Sequence, residues 1–228
     1  MGDLVLTNPP KAHILPIEVN KEAIMQELLQ RDGLSIELLT KLSYKTKMGV
    51  SLKRNLHYFD PKAFLQELLE IRRWYDNQEE LHNLALDYRI KSIQSAMAKF
   101  ERYYPDHQAR KVFDDLLGFR SLVDSYDDIL LLSDVSDFRV ADMSTGKAND
   151  DGYRGVHVYF QVDNHHYPIE IQYNTYYDRQ LNNWLHKYLY KKAVSNSVGC
   201  KLRSMYENGE ITTENEFKEA LEHVLCSS

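Results

Sequence analysis

Three polar residues spaced four apart could hold phosphate groups. Lys91, Ser95 and Lys99 recur at i, i+4 and i+8, a spacing that places them on one face of a helix. Arg89 and Ser92 flank the same face. Ammonium and hydroxyl groups arranged in this way can bind polyphosphate oxygens through charge-assisted hydrogen bonds. The alternative is an exposed helix face in contact with water, which is the commoner setting for lysine.

A second polar set is predicted on a β-hairpin whose turn lies at residues 163–166. Pairing across this turn places Tyr159 opposite Glu170 and leaves the apolar residues on the other face. The same register places His157 opposite Gln172. A phenol, a carboxylate, an imidazole and an amide therefore lie together, on either a solvated outer face or a reaction surface.

The elements that position these side chains follow from apolar periodicity and from capping residues. Helices are predicted at residues 20–30, 35–42, 61–75, 78–103, 124–132 and 176–192, and from Cys200 onward. Strands are predicted at residues 119–123, 138–140, 154–162 and 167–173. The first 17 residues, which contain three prolines, are expected to form an extended arm. This order of elements predicts an α+β fold behind a helical N-terminal region.

Composition narrows the class of protein. The 228 residues are 43% hydrophobic and 27% charged, as in an ordinary globular protein with a real core. Two cysteines make neither a disulfide framework nor a zinc module. The longest aliphatic run, residues 129–132, is too short to cross a membrane, and the first residues lack the pattern of a signal peptide. A cytoplasmic protein without membrane contact is expected.

Charge is distributed unevenly along the chain. The net charge is −6, yet no acidic residue occurs between Glu37 and Asp60. This basic segment, residues 41–54, contains Lys41, Lys45, Lys47, Lys53 and Arg54. A basic patch on an acidic protein favours a phosphate-rich partner. The alternative is a loop whose cations pair with nearby acids such as Glu67 or Glu70, an arrangement that stabilises little when exposed.

Five blocks of polar and glycine residues arrive in order between about residues 85 and 192. The blocks are Arg89-Ile90-Lys91-Ser92 with Ser95 and Lys99, Asp115-Leu116-Leu117-Gly118-Phe119-Arg120, Gly152-Tyr153-Arg154-Gly155-Val156-His157, Glu170-Ile171-Gln172 with Thr175, and His186 with Tyr190-Lys191. Together they resemble the RelA/SpoT-type pyrophosphokinase (alarmone synthetase) family. The resemblance implies a nucleotidyltransferase-like mixed β-sheet flanked by helices. It divides the chain into a helical N-terminal region (1–77), a synthetase core (78–192) and a helical tail (193–228).

The same resemblance implies a reaction, in which the β,γ-pyrophosphate of ATP is transferred to a ribose 3′-hydroxyl. The residues implied to bind ATP are Arg89, Lys91, Ser95, Lys99 and Arg120, with the two arginines stacked around the adenine. Asp115 and Glu170 are the implied catalytic residues and Mg²⁺ ligands, and Glu170 is alternatively the base that takes the hydroxyl proton. Tyr153, exposed at the strand entrance, is expected to stack on the acceptor base, with His157 and Gln172 beside it. Such a transfer depends mainly on a metal, cations and an aligned nucleophile.

Departures from the family pattern concern the acceptor. Asn174 stands where an arginine is expected, and Asp150 and Asp151 precede Gly152. Losing a cation and gaining two acids should weaken a pocket for the free phosphates of GDP or GTP. In these respects the sequence is similar to the toxic small alarmone synthetases, single-domain enzymes without a hydrolase domain.

The toxic branch modifies the 3′-terminal adenosine of tRNA and is paired with an antitoxin protein. If this chain resembles it in function, the acceptor stem of tRNA is expected to contact Lys45, Lys47, Lys53 and Arg54. Two alternatives stay open. One is a GTP/GDP pyrophosphokinase that makes the alarmone (p)ppGpp, and the other is an inactive nucleotide-binding module.

Overall fold

The computed structural model describes residues 20–190, 192 and 194–226. The arm predicted for the first 17 residues, and Lys191 of the last sequence block, lie outside this part. The helices are α1 Lys21–Arg31, α2 Ile36–Lys41, α3 Pro61–Asp76, α4 Glu79–Asn83, α5 Ile93–Tyr103, α6 Ala109–Val112, α7 Asp127–Leu130, α8 Tyr176–Tyr188, α9 Asn196–Glu207 and α10 Glu214–Cys226. The strands are β1 Asp87–Ile90, β2 Leu117–Val123, β3 Phe138–Met143, β4 Gly155–Phe160 and β5 Ile169–Thr175.

Polar capping residues fix the starts of the N-terminal helices. Asn20, Ser35 and Asp60 each accept a hydrogen bond from a backbone N–H three residues on, at 3.2, 3.1 and 2.8 Å. Such caps satisfy backbone donors that the first turn leaves unpaired. The predicted starts of these helices are therefore confirmed. None of the helices in the described part of the chain has the length and apolar character needed to cross a bilayer.

The five strands form one mixed sheet in the order β1-β2-β5-β4-β3. Strands β2 and β5 are parallel, and the other neighbours are antiparallel. The predicted hairpin register is confirmed in the five pairs that β4 and β5 form, with Val158 opposite Ile171 and Phe160 opposite Ile169 on the apolar face. These four side chains are at most 2% exposed. The mixed sheet flanked by helices confirms the predicted α+β class.

The helix predicted over residues 78–103 is wrong. The chain instead forms the short helix α4, the edge strand β1 and the helix α5. The hydroxyl oxygen of Ser92 accepts a hydrogen bond from the Ser95 N–H at 3.2 Å and so starts α5. No glycine or proline interrupts residues 78–103, so the break depends on this cap and on the pairing of β1 with β2. Arg89 consequently lies on a strand, and Lys91 lies in the connection to α5.

Two hydrophobic clusters stabilise the fold. The larger cluster joins the N-terminal helices to the sheet, with Phe64 and Phe113 in contact at 4.4 Å between ring centroids. The smaller cluster is formed by α8, α9 and α10, where Trp184, Leu202 and Phe217 are buried. The opposite, polar face of β4 and β5 carries His157, Tyr159, Glu170 and Gln172.

Candidate active site

Two transverse rows of side chains cross the polar face of the sheet. From β1 to β3, the first row is Arg89, Gly118, Glu170, Tyr159 and Arg139. The second row, in the same strand order, is Asp87, Arg120, Gln172, His157 and Ala141. Strand pairing therefore brings residues from four of the five sequence blocks side by side.

Glu170 lies at the centre of this face and is 6% exposed. Its Oε1 lies 2.9 Å from His157 Nδ1 and accepts a hydrogen bond from the Tyr159 hydroxyl at 3.1 Å. Its Oε2 accepts from the Gln172 amide at 2.6 Å. Burial raises the pKa of Glu170, but the contacts with His157, Gln172 and Tyr159 outweigh it and hold the pKa below its ordinary value. Glu170 is therefore ionised at neutral pH inside a hydrogen-bonded network, and this face is no solvated outer surface.

Tyr153 is half-buried, so the prediction that it is exposed at the strand entrance is wrong. Gly152, at φ +86°, turns the chain so that the Tyr153 hydroxyl lies 2.7 Å from His157 Nε2. Burial raises the pKa of Tyr153. The Lys147 ammonium lies 4.8 Å from the centre of its ring. A stacking base would therefore meet a ring whose position is already fixed by His157 and Lys147.

A central cavity opens between β1, β2 and β5. It is lined by Arg89, Lys91, Asp115, Gly118, Arg120, Glu170 and Gln172. Asp115 forms an ion pair with Lys91, and its Oδ1 accepts a hydrogen bond from Lys99 at 3.1 Å. Arg120 lies 3.6 Å from Asp87, and Ser95 is hydrogen-bonded to Ser92 at 2.8 Å. The structure thus gathers the predicted cations, Asp115 and Glu170 at one place, with Ser95 on the neighbouring helix.

Sequence reasoning missed Asp114. Its carboxylate accepts a hydrogen bond from Arg139 at 2.9 Å and lies 3.9 Å from Lys99. Burial, together with Asp115 and Glu170, raises the pKa of Asp114 to about 6, although Lys99 and Arg139 act to lower it. The two adjacent acids at positions 114 and 115 were the sequence feature that could have indicated a role for Asp114.

The carboxylate oxygens that line the central cavity suit a metal ion that binds together with the phosphates of the substrate. Within the described residues, no three His, Cys, Asp or Glu side chains are grouped to hold a metal ion. Asp115 and Glu170 do line the same cavity, and both present carboxylate oxygens. Mg²⁺ is usually held by one or two carboxylates together with substrate phosphates and water. These two residues fit that pattern.

The residues that line the central cavity include none of the basic segment, residues 41–54. The basic segment packs on the β4–β5 turn, where the Leu52 N–H donates to Asn164 O at 2.8 Å. Lys41 forms an ion pair with Glu80, and Lys47 forms one with Glu70 at 2.7 Å, as the alternative interpretation expects. Lys45, Lys53 and Arg54 are exposed and make no ion pair with any described residue.

Arg203 on α9 was not predicted, because it lies outside all five sequence blocks. It is 1% exposed and donates to Gly152 O and to Asp178 Oδ1, each at 2.8 Å. A third bond reaches Asn182 Oδ1 at 3.2 Å, and the Asn182 amide donates to Arg154 O at 2.6 Å. The loop between β3 and β4, which carries Tyr153, is therefore anchored to helices α8 and α9.

In the last sequence block, the rings of His186 and Tyr190 meet edge to face at 6.5 Å between their centroids.

Three solved structures resemble the chain. The small alarmone synthetase 1 from Bacillus subtilis bound to its product pppGpp is 22% identical, with a TM-score of 0.40, over 73% of this chain and 91% of that one. A GTP pyrophosphokinase family protein from Streptococcus pneumoniae is 21% identical, with a TM-score of 0.37, over 72% and 85%. The Bacillus subtilis enzyme bound to AMPCPP is 21% identical, with a TM-score of 0.35, over 71% and 88%.

No curated protein matches the chain. A sequence model of the region found in RelA/SpoT proteins matches residues 88–195. The matched residues include every residue that lines the central cavity and the loop that carries Tyr153. Residues 88–195 of the chain therefore form a RelA/SpoT-type pyrophosphokinase region.

Proposed function

We propose that the chain transfers the β,γ-pyrophosphate of ATP to the 3′-hydroxyl of the 3′-terminal adenosine of tRNA. The observation that carries the choice of acceptor is the charge balance of the loop around Tyr153. Arg154 is paired with Asp150 at 2.8 Å, and Lys147 is paired with Asp151 at 2.8 Å. The acids of the loop thus neutralise its own cations, which leaves little attraction for the free phosphates of a guanine nucleotide.

Asn174 supports the same conclusion. It stands at the position where the family pattern has an arginine, is 1% exposed, and donates its amide to Arg154 O at 2.8 Å. Asn174 therefore supports the backbone of the loop and contributes no positive charge to the acceptor site. By contrast, Lys45, Lys53 and Arg54 leave three exposed cations at the basic segment, where the phosphates of a tRNA acceptor stem can bind.

The reaction forms a bond between the acceptor 3′-oxygen and the β-phosphorus of ATP, and it breaks the bond between that phosphorus and the oxygen that leaves with AMP. Glu170, ionised and facing the central cavity, accepts the hydroxyl proton. His157, held between Tyr153 and Glu170, orients the carboxylate. Lys91 and Lys99 bind the phosphate oxygens, and Arg89 and Arg120 stack on the adenine. Mg²⁺, held by Asp115 and Glu170, would neutralise charge on the transferred phosphates.

Transfer of label tests the proposal. The protein is incubated with γ-³²P-ATP and, separately, with deacylated tRNA, GDP or GTP. Label is expected on tRNA, and it should be lost when the terminal ribose of the tRNA is first oxidised with periodate. Label on GDP or GTP with none on tRNA would overturn the choice of acceptor. The Asp115→Asn variant serves as the inactive control.

The proposal extends to a cellular role as a cytoplasmic toxin that inhibits translation and is neutralised by an antitoxin protein. The support is the similarity of the Asp150, Asp151 and Asn174 departures to the toxic branch. Expression of the active chain should arrest protein synthesis, measured by incorporation of labelled methionine, whereas the Asp115→Asn variant should not. Arrest by both variants would contradict a role that depends on catalysis.

One observation favours the alternative acceptor, a guanine nucleotide. Arg179, in the first turns of α8, is half-buried, and its guanidinium makes no ion pair among the described residues. Burial and the nearby charge of Arg120 lower its pKa, and Tyr153 is also nearby. A 5′-phosphate of GDP or GTP would relieve the repulsion between the two arginines. If the alternative holds, Arg179→Gln should raise the KM for GDP.

A further inference from the structure

A side cavity of about 210 Å³ opens on the β3 side of the sheet, opposite the central cavity. Its lining includes Arg110, Lys111, Asp137, Arg139 and Tyr159. None of these residues belongs to the five sequence blocks that resemble the family. Three cations face one acid, so the cavity favours an anion.

The cations of the side cavity are only partly satisfied by the protein. The Arg110 side chain donates to Gln108 Oε1 at 3.1 Å, a neutral acceptor. Lys111 is exposed and makes no ion pair with any described residue. Arg139 contacts Asp114 at 2.9 Å, but it is 51% exposed and still faces the cavity. Hydrogen-bond donors therefore remain for a bound phosphate.

Tyr159 joins the side cavity to the catalytic carboxylate. Its ring lines the cavity, with the Arg139 guanidinium 3.8 Å from the ring centre. Its hydroxyl donates to Glu170 Oε1 at 3.1 Å. A ligand in the side cavity thus lies one side chain away from the group that accepts the hydroxyl proton.

The side cavity is also continuous with the basic segment. The Arg110 N–H donates to Leu52 O at 2.8 Å, and the Ala109 N–H donates to Arg54 O at 3.0 Å. These bonds fix Lys53 and Arg54 beside Arg110 and Lys111. Cations therefore follow one path from the basic segment through α6 and the side cavity to Tyr159. A single nucleotide carries its phosphates close to one ribose, whereas a polynucleotide can follow such a path.

We propose that the side cavity binds a backbone phosphate of the single-stranded 3′ end of an RNA acceptor, upstream of the reacting ribose. The proposal rests on the proposed function, since it assumes that the reacting hydroxyl belongs to a polynucleotide. Arg110 and Lys111 hold the phosphate oxygens, and Arg139 with the Tyr159 ring forms the wall that directs the strand toward Glu170. The cavity thereby distinguishes a polynucleotide from a free nucleotide.

The first test uses the double variant Arg110→Gln, Lys111→Gln with deacylated tRNA and with a six-nucleotide RNA ending in CCA. The KM for both acceptors should rise about tenfold with little change in kcat, since two phosphate-binding cations are removed. The KM for ATP and the melting temperature should stay unchanged. The double variant Lys62→Gln, Lys201→Gln, which removes two exposed cations elsewhere, is the matched control. An acceptor KM equal to that of this control would overturn the proposal, as would an equal rise in the KM for ATP.

A binding experiment separates this proposal from the proposed function. Fluorescence anisotropy measures binding of the same six-nucleotide RNA with a 3′-deoxy terminus, which cannot react. The wild type should bind it more tightly than the Arg110, Lys111 variant, and the slope of log Kd against log salt should be smaller for the variant. If the wild type labels only GDP or GTP yet shows this difference in binding, the proposed acceptor fails and the RNA site stands. If the wild type labels tRNA and the variant binds RNA equally well, the proposed function stands and the side cavity is excluded.

Discussion

Gly152 and Gly199 contact each other through their main chains. A Cβ at Gly152 would overlap the carbonyl group of Gly199, and a Cβ at Gly199 would overlap the carbonyl group of Asp151. Gly152 also has a positive φ of 86°, a conformation that other residues rarely adopt. The loop that carries Tyr153 therefore rests directly on helix α9, so the C-terminal helices help to set the position of a predicted acceptor residue.

Gly199→Ala tests this contact. Alanine favours a helix over glycine by about 1 kcal/mol, so α9 itself should gain stability. The added methyl group must displace the loop, and overpacking of this kind costs about 1–3 kcal/mol. We expect the KM for the acceptor to rise while the KM for ATP stays the same. An unchanged acceptor KM, with a raised melting temperature, would show that the loop can move without consequence.

Arg203→Met tests the anchor beneath the same loop. Removing the guanidinium leaves the Asp178 carboxylate, which is 12% exposed, without its partner. Breaking a buried ion pair costs about 3–5 kcal/mol, which should appear as a lower free energy of unfolding in urea denaturation. Lys201→Met, at an exposed position of α9, is the control and should change stability little. Equal stability of the two variants would contradict an anchoring role for Arg203.

Much of the sheet could be predicted from the sequence because its signals are local. Alternation of apolar and polar residues fixed the pairing of Val158 with Ile171, and the polar partners of that register, His157 and Gln172, were found with it. The edge strand β1 was missed because nothing local separates residues 87–90 from a helix, and their pairing with β2 decides the outcome. Tertiary context overrides local propensity at such positions.

The candidate site was likewise only partly predictable from the sequence. The sequence blocks led to Asp115 and Glu170, which line one cavity. Arg203 could not be predicted from the sequence, because its role depends on a hydrogen bond to Gly152, which is 51 positions away in the chain. The half-buried position of Tyr153 was also missed, since it follows from the contact of its hydroxyl with His157. A sequence pattern names the residues of a block, but packing decides their exposure.

Asp115→Asn and Glu170→Gln are expected to abolish pyrophosphate transfer and to leave the fold intact. Both substitutions keep the size of the side chain and remove a charge that, in the proposed mechanism, serves the metal ion and the nucleophile. The checks are the amount of labelled product and the melting temperature. Either variant with near wild-type transfer and unchanged melting would show that the site is assigned wrongly.

Tyr153→Ala and Tyr153→Phe separate stacking from hydrogen bonding. Loss of the ring should weaken acceptor binding by about 1–3 kcal/mol, the range for a base stacked on an aromatic side chain. Because Tyr153 is half-buried, the alanine variant should also melt at a lower temperature. Phenylalanine keeps the ring and removes the contacts of the hydroxyl with His157 and Asn174, so its acceptor KM should stay close to that of the wild type. A phenylalanine variant as weak as the alanine variant would exclude stacking as the main role.

The last prediction concerns the basic segment. The structure separates the four cations expected from the sequence to bind tRNA into three without an ion pair and one with an ion pair. Lys45, Lys53 and Arg54 are exposed without an ion pair to any described residue, whereas Lys47 is paired with Glu70. Replacing the three unpaired cations by Ala should weaken tRNA binding strongly, reduce its salt dependence and relieve toxicity on expression. The KM for ATP should barely change, because these residues lie outside the central cavity. Among single variants, Lys47→Ala is the control for Lys53→Ala and should have the smaller effect, since its ammonium group is already neutralised. A triple variant that labels tRNA at the wild-type rate at physiological salt would remove the basic segment from the tRNA site.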